Sequence, residues 1–208
     1  MLRIVCVSDT HANHRKTVIP DGDLLLHAGD LTGHGRLEDV EDFDRWLGTL
    51  PHRHKVVIAG NHDFCFQEQG AEARARITNA VYLEDEMVKI AGVTIYGSPW
   101  QPWFGGWAFN LQRGPELATV WAKIPASTDI LLTHGPPEGI LDRNRRGDCC
   151  GCRDLLHRVL KIRPRLHVFG HIHEAAGRTD IDGITFLNAS TQLGHGTAVI
   201  VEWSDLAE

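Results

Sequence analysis

Five short apolar runs, each closed by a glycine or a polar cluster, constrain this chain more than any other feature: "LRIVCVSD", "DLLLHAGD", "KVVIAGNHD", "DILLTHG" and "LHVFGHIH". They are almost continuously hydrophobic rather than alternating, which is the pattern of strands covered on both faces. Amphipathic helical patterns lie between several of them. "RLEDVEDFDRWLGTL" puts Leu37, Val40, Phe43 and Leu47 on one side, and "CRDLLHRVLKI" does the same with Leu155, Leu156 and Val159. Alternation of strand and helix makes the fold class α/β. Two regions, Met87 to Tyr96 and Ile181 to Trp203, differ: "VKIAGVTIYG" and "IDGITFLNAS" read as strand, turn, strand, with Gly92 and Gly183 at the turns, and so supply antiparallel partners. The expected architecture is two mixed β-sheets packed as a sandwich with helices outside, four layers in all.

With 208 residues, 42% of them hydrophobic, the chain suits one globular domain over 1–208, large enough to bury a core without disulfide or metal staples. A formal charge of -6 disfavours duplex nucleic acid as a partner, which needs a concentrated basic surface. It leaves room for small anions, because bound divalent cations reverse the sign locally. The opening "MLRIVCVSDTH" has one basic residue and an apolar run too short for a signal peptide or membrane span, so a cytoplasmic protein without a membrane partner is expected. The five cysteines, Cys6, Cys65, Cys149, Cys150 and Cys152, suit reduced thiols better than a secreted disulfide framework.

The strand ends carry the chemistry. Asp9 and His11 follow the first run, Asp30 the second, Asn61, His62 and Asp63 the third, His134 the fourth, and His171 and His173 the fifth. Ligand sites in open α/β sheets lie beyond the carboxyl ends of strands, so these ends can converge on one crevice. In "VFGHIHE" the two histidines are two apart, and strand alternation would aim both imidazoles at one place. Singly, each residue has an ordinary explanation as a helix cap, a turn former or a satisfied loop histidine. Together they form an oxygen and nitrogen ligand set suited to manganese, iron or zinc rather than a thiolate site.

The series D-x-H (Asp9, His11), G-D (Gly29, Asp30), G-N-H-D (Gly60 to Asp63), H (His134) and G-H-x-H (Gly170 to His173) resembles the full motif set of the calcineurin-like metallophosphoesterases, in order, from about residue 3 to the last strand near Trp203. Longer blocks such as "IYGSPWQPWFGGWAFNLQRG" and "DILLTHGPPEG" are similar to the brain-type metallophosphoesterase-domain-containing proteins and their bacterial relatives. Some brain members carry glycine where this chain has His171. The resemblance implies two divalent ions, manganese first, with iron, zinc, cobalt or magnesium as alternatives. Asp9, His11, Asp30 and His173 would hold one ion, and Asp30, Asn61, His134 and His171 the other, with Asp30 bridging.

It also implies hydrolysis of a phosphoester by a metal-bridging hydroxide, with His62 as proton donor to the leaving oxygen and Asp63 as its orienting partner. Related protein phosphatases place arginines in G-D-x-x-D-R-G and R-G-N-H-E; here His34 and Ala59 stand at those positions. Without that clamp for a dianion, a small phosphodiester is favoured, and the branch points to a cyclic or other nucleotide, with Asn61, His62, His34 and Trp107 as substrate contacts. A phosphomonoesterase and a metal-binding scaffold with little turnover are the alternatives.

Trp100, Trp103, Phe104, Trp107 and Phe109 are either a hydrophobic edge of the core or a stacking wall for a base. Arg143, Arg145 and Arg146 read as a solvated loop or a lip that guides an anion, and one of the cysteines at a helix start is a candidate reactive thiol. A monomer or homodimer is expected.

Overall fold

The computed structural model describes residues 2–207. One sheet joins β1 (Arg3–Val7), β2 (Leu24–His27), β3 (His54–Val57), β4 (Val81–Tyr82) and β13 (Val199–Glu202) in the order β13-β1-β2-β3-β4. The other joins β5 (Glu86–Ile90), β6 (Val93–Ser98), β9 (Ile130–Thr133), β10 (Leu166–Phe169), β11 (Gly177–Ile181) and β12 (Ile184–Asn188) in the order β11-β12-β10-β9-β6-β5. Their inner strands run parallel, while β13, β5 and β11 are antiparallel edges. The two expected hairpins are there: Ala91 and Gly92, then Asp182 and Gly183, all adopt positive φ, as a tight turn between right-twisted strands requires. A short ribbon of β7 (Gln101–Pro102) and β8 (Asn110–Leu111) stands apart from both sheets.

Side-chain alternation now explains the unbroken hydrophobicity of the runs. In β1, Ile4 and Cys6 enter the core between the sheets, where Leu24, Val56, Ile130 and Leu166 also lie. Val5 and Val7 face the other way, onto Val40, Phe43 and Leu47 of α1 (Leu37–Thr49) and Phe66 of α2 (Phe64–Glu68), with Ala73 of α3 (Gly70–Ala75) in the same cluster. Beyond the second sheet, Leu131 and Phe169 pack on Leu117 and Trp121 of α4 (Pro115–Ala122) and on Leu155 and Val159 of α5 (Arg153–Ile162). Each such buried Leu, Ile or Phe stabilises by about 1.5–3 kcal/mol relative to exposure. The layering is helix, sheet, sheet, helix, as expected. Among the described residues no helix is long and apolar enough to cross a membrane.

Both sheets bring their parallel strand ends to the same rim. A bridge between Ser8 and Ser190 couples the chain just after β1 to that just after β12, and Thr191 N–H donates to the Ser8 carbonyl at 3.1 Å. The loops beyond β1, β2, β3, β9 and β10 therefore share one crevice at the seam between the sheets.

Candidate metal centre

The loop backbones turn sharply at the candidate ligands. Asp9 (φ 59°), His11 (φ 44°), Asp30 (φ 57°) and His171 (φ 68°) all lie in the left-handed region, which costs a non-glycine residue about 1–3 kcal/mol and clusters at functional sites. The strain redirects each side chain off its strand axis into the seam. Glycines allow the loops to close: a Cβ on Gly60 would lie 2.4 Å from Asp30 Oδ1, and one on Gly170 would lie 2.2 Å from Asp9 Oδ2.

Two sets of donor atoms result. In the first, His173 Nε2 lies 3.3 Å from Asp9 Oδ1 and 3.4 Å from His11 Nε2, which is 3.5 Å from Asp30 Oδ2. In the second, Asn61 Oδ1 lies 2.9 Å from His134 Nε2 and 2.8 Å from His171 Nδ1, while His134 Nε2 is 3.4 Å from Asp30 Oδ2. One oxygen of Asp30 is thus common to both. Ligand atoms held 2.0–2.2 Å from one ion are themselves separated by about 3.0–3.4 Å, so these spacings fit the edges of two coordination shells. His134 Nδ1–H donates to the Ala28 carbonyl at 2.9 Å, which fixes the tautomer and turns the Nε2 lone pair inward, the usual arrangement behind a ligating imidazole. The donor set therefore fits a pair of divalent cations with oxygen and nitrogen preference.

His62 sits at the margin of the first set. Its ring is 4.4 Å from that of His11, and it can offer a nitrogen within 4.8 Å of ligand atoms of His11 and Asp30. The expectation that Asp63 orients this ring is corrected. The Asp63 carboxylate instead accepts from Leu31 N, Thr32 N, Thr32 Oγ1 and Gly60 N, at 2.8 to 3.1 Å, and so ties the loop after β2 to the loop after β3. The orienting partner of His62 is the Gly33 carbonyl, which accepts from Nδ1 at 2.8 Å, with Trp107 tilted against the ring at 4.4 Å. His34, exposed, edges onto Trp107 at 5.9 Å, and Phe104 lies 5.0 Å from His171. The aromatic segment divides its labour: Phe109 is buried, with Trp100 packed at 5.5 Å, while Trp107, Phe104 and the exposed Trp103 form a wall beside the donor sets.

The profile of the calcineurin-like phosphoesterase family matches residues 2–175. The chain belongs to that family. It is 44% identical over 213 residues to human metallophosphoesterase domain-containing protein 1, a match covering 90% of this chain and 65% of the human one. The chain thus spans slightly less than two-thirds of that relative. A UPF0046 protein of Caenorhabditis elegans is 40% identical over 212 residues, covering 91% and 75%. Among solved structures, TT1561 of Thermus thermophilus superposes with a TM-score of 0.62 at 14% identity, covering 93% and 90%. An archaeal phosphodiesterase superposes at 0.55 with 15% identity, covering 99% and 96%. These two show the fold.

In this calcineurin-like phosphoesterase the two terminal histidines do not converge by strand alternation, as expected from "GHIH". β10 ends at Phe169, His171 turns through a left-handed loop residue, and His173 begins a short 3-10 turn. They diverge, one to each donor set.

Charges around the seam compensate one another. Burial would raise the carboxyl of Asp9, but its hydrogen bond to His173 and the nearby His134 and His11 pull it well below the usual range; burial opposes and His134 favours the same direction at Asp30, held at about 2. Burial alone would depress His134, yet Asp30, Asp9 and the Ala28 carbonyl push it up to about 9. Desolvation, then His134, push His171 down to about 3. Burial and the neighbouring Asp30 raise Asp63 to about 6 against its backbone donors.

His27 escaped the sequence reading. Fully buried and pushed by desolvation to about 3, it stays neutral, accepts from Gly29 N at 3.3 Å and meets Thr10 Oγ1 at 3.0 Å, bracing two ligand loops. Its one signal is a histidine within an otherwise apolar run. Cys152, at the start of α5, is not a reactive thiol: it is buried, its Sγ accepts from Leu155 N and Trp121 Nε1, and burial raises its pKa. Arg143 bends back to the Gly147 carbonyl and Arg145 pairs with Glu174, so both belong to a solvated loop.

Proposed function

We propose that this chain is a phosphodiesterase for small ring-bearing esters, nucleotides above all, working with two divalent ions, manganese first. The observation that carries the diester preference lies at positions 34 and 59. An exposed imidazole and a fully buried methyl stand there, so neither position offers the guanidinium that would grip a dianionic monoester. The singly charged diester has less need of it.

Asp9, His11, Asp30 and His173 would hold one ion, and Asp30, Asn61, His134 and His171 the other. When bound, the ions supply Lewis acidity to the phosphoryl group and acidify a water toward neutral pH. The chain's own residues do the rest. The Gly33 carbonyl accepts the hydrogen bond from His62 Nδ1–H, so Nε2 of the imidazolium is the nitrogen that would pass its proton to the leaving oxygen. Trp107 packs against that ring at 4.4 Å and would restrain its rotation. Asp63 fixes the Asn61 loop against the Asp30 loop through its backbone donors, holding the common ligand in register.

The test is turnover of bis-p-nitrophenyl phosphate against p-nitrophenyl phosphate by manganese-reconstituted protein, followed by 2′,3′- and 3′,5′-cyclic nucleotides. Preference for the diester is expected. Preference for the monoester would replace this reading with a phosphomonoesterase of the same fold.

A further inference from the structure

We propose that the cavity of about 430 Å³ beside His171 is the subsite for the substituent that stays on phosphorus, and that it takes a planar aromatic ring, a nucleobase in a nucleotide ester. This deepens the diesterase reading and rests on it.

The cavity opens between the aromatic ribbon and the loop that carries Cys149 and Cys150, with Trp103 and Phe104 on one wall, the two cysteines on the other, and Pro136 and Ile172 between them. The lining is mostly apolar, and its size lies in the range of small-ligand sites. Trp103 is 56% exposed although its backbone N–H is paired with the Leu111 carbonyl. An uncovered indole lining a cavity, on a backbone held in the ribbon, is apolar surface that a flat ring would cover, and sulfur packs favourably on ring edges.

The opposite wall is built rather than loose. Arg113 donates to the Gly151 and Cys150 carbonyls, and Asp142 accepts from Gly139 N and Gly151 N. Asn144 accepts from Arg146 N and Asp148 N.

Position relative to the donor sets assigns the role. His171 forms the inner end of the cavity and belongs with Asn61 and His134, whereas His62 lies against His11 on the other flank. In the hydrolysis, a water oxygen joins phosphorus and sheds one proton to solvent, the bond to the leaving oxygen breaks, and that oxygen departs with the electron pair and takes the His62 proton, which solvent then restores. The retained P–O bond is untouched. The retained substituent is equatorial, off the axis that joins the attacking and leaving oxygens; with the leaving oxygen on the His62 flank, the cavity beside His171 is the space left for that substituent. A monoester has no such substituent and leaves the cavity empty, which adds a second reason for diester preference.

The test uses manganese-loaded full chain and pairs that differ only in the retained group. Calorimetry compares phenylphosphonate with methylphosphonate, and kinetics compares their p-nitrophenyl esters. Stacking on an aromatic side chain is worth about 1–3 kcal/mol per ring, so phenylphosphonate should bind about tenfold more tightly. In Trp103→Ala that advantage should shrink toward parity, and kcat/KM for the phenyl ester should fall about tenfold more than for the methyl ester. Met87→Ala, exposed on β5, should change neither ratio.

Equal binding of the two phosphonates, or discrimination unaltered by Trp103→Ala, overturns the ring site. If the Trp103→Ala effect instead follows the leaving group when that is varied at constant retained methyl, the assignment to the retained side is overturned. Discrimination between phosphonates with no diester turnover sinks the diesterase reading and leaves the ring site standing. Diester turnover without discrimination does the reverse.

Discussion

A methyl group added at position 60 would collide with Asp30 at both Oδ1 and the backbone nitrogen, the latter at 2.5 Å, so the clash cannot be relieved by swinging a side chain. Gly60→Ala, which alters no ligand, should therefore cut bound manganese to well under half of the wild-type amount, read by elemental analysis after desalting, with helix content by circular dichroism retained. Full retention of metal would mean that the Asp30 carboxylate is not a ligand. His62→Ala should behave in the opposite way, keeping its metal because the donor sets are intact. Turnover should fall by about two to four orders of magnitude on alkoxide leaving groups and by less on p-nitrophenol, which leaves without full protonation. Equal losses on both would remove His62 from the proton-transfer role. At this scale the candidate donors stand out in the sequence because carboxylate, amide and imidazole recur at the ends of the apolar runs. The partner of His62 does not, because adjacency of His62 and Asp63 in sequence says nothing of a carboxylate turned inward onto three donors of the loop after β2 and the Gly60 N–H of its own loop. Gly33, which does hold the ring, contributes only a backbone carbonyl and so has no residue-type signal.

Strands and helices were readable wherever burial on two faces or one set the pattern. The loops that end them were not, since left-handed backbone at Asp9, Asp30 and His171 carries no hydrophobic period. Inside β10, His167 shows how an element can tie stability to acidity. Its Nε2 meets Thr133 Oγ1 at 2.8 Å, that hydroxyl donates to the Gly135 carbonyl, and burial holds the ring neutral, pushed down to about 3. The unfolded chain binds a proton here below about pH 6.5, the folded chain only below about 3. Between those values the unfolded state holds more protons, so this contribution to stability is lost as pH falls and is complete above the window. Urea midpoints should show wild type losing stability faster than His167→Phe between pH 6.5 and 3, with a slope difference of up to about 1.4 kcal/mol per pH unit. Parallel acid limbs would mean that His167 is solvated or protonated in the folded state.

Across the whole molecule, the donor residues come from both sheets: Asp9, His11, Asp30 and Asn61 from loops of the first, His134, His171 and His173 from loops of the second. Ions held there would rivet the sandwich along its rim. Each ion present at a hundred times its dissociation constant adds about 2.7 kcal/mol, and for a domain of this size each kcal/mol raises Tm by about 2–4 °C. Manganese should therefore raise the melting temperature by about 5–10 °C for even one occupied set, and chelation should reverse it. A melting curve indifferent to both would argue against a site spanning the sheets. The two-sheet layering was legible from continuous runs flanked by glycine-turned hairpins, whereas the shared rim depends on the Ser8 and Ser190 bridge, a long-range pairing with no local trace in the chain. The inverted backbone hand at four of the donor residues has a practical corollary for anyone wishing to transplant this centre. Copying the side chains onto another sandwich whose strands simply run out into ordinary extended loops would aim them along the wrong vectors; the bends must travel with the residues, so the portable unit is the set of loops and not the motif.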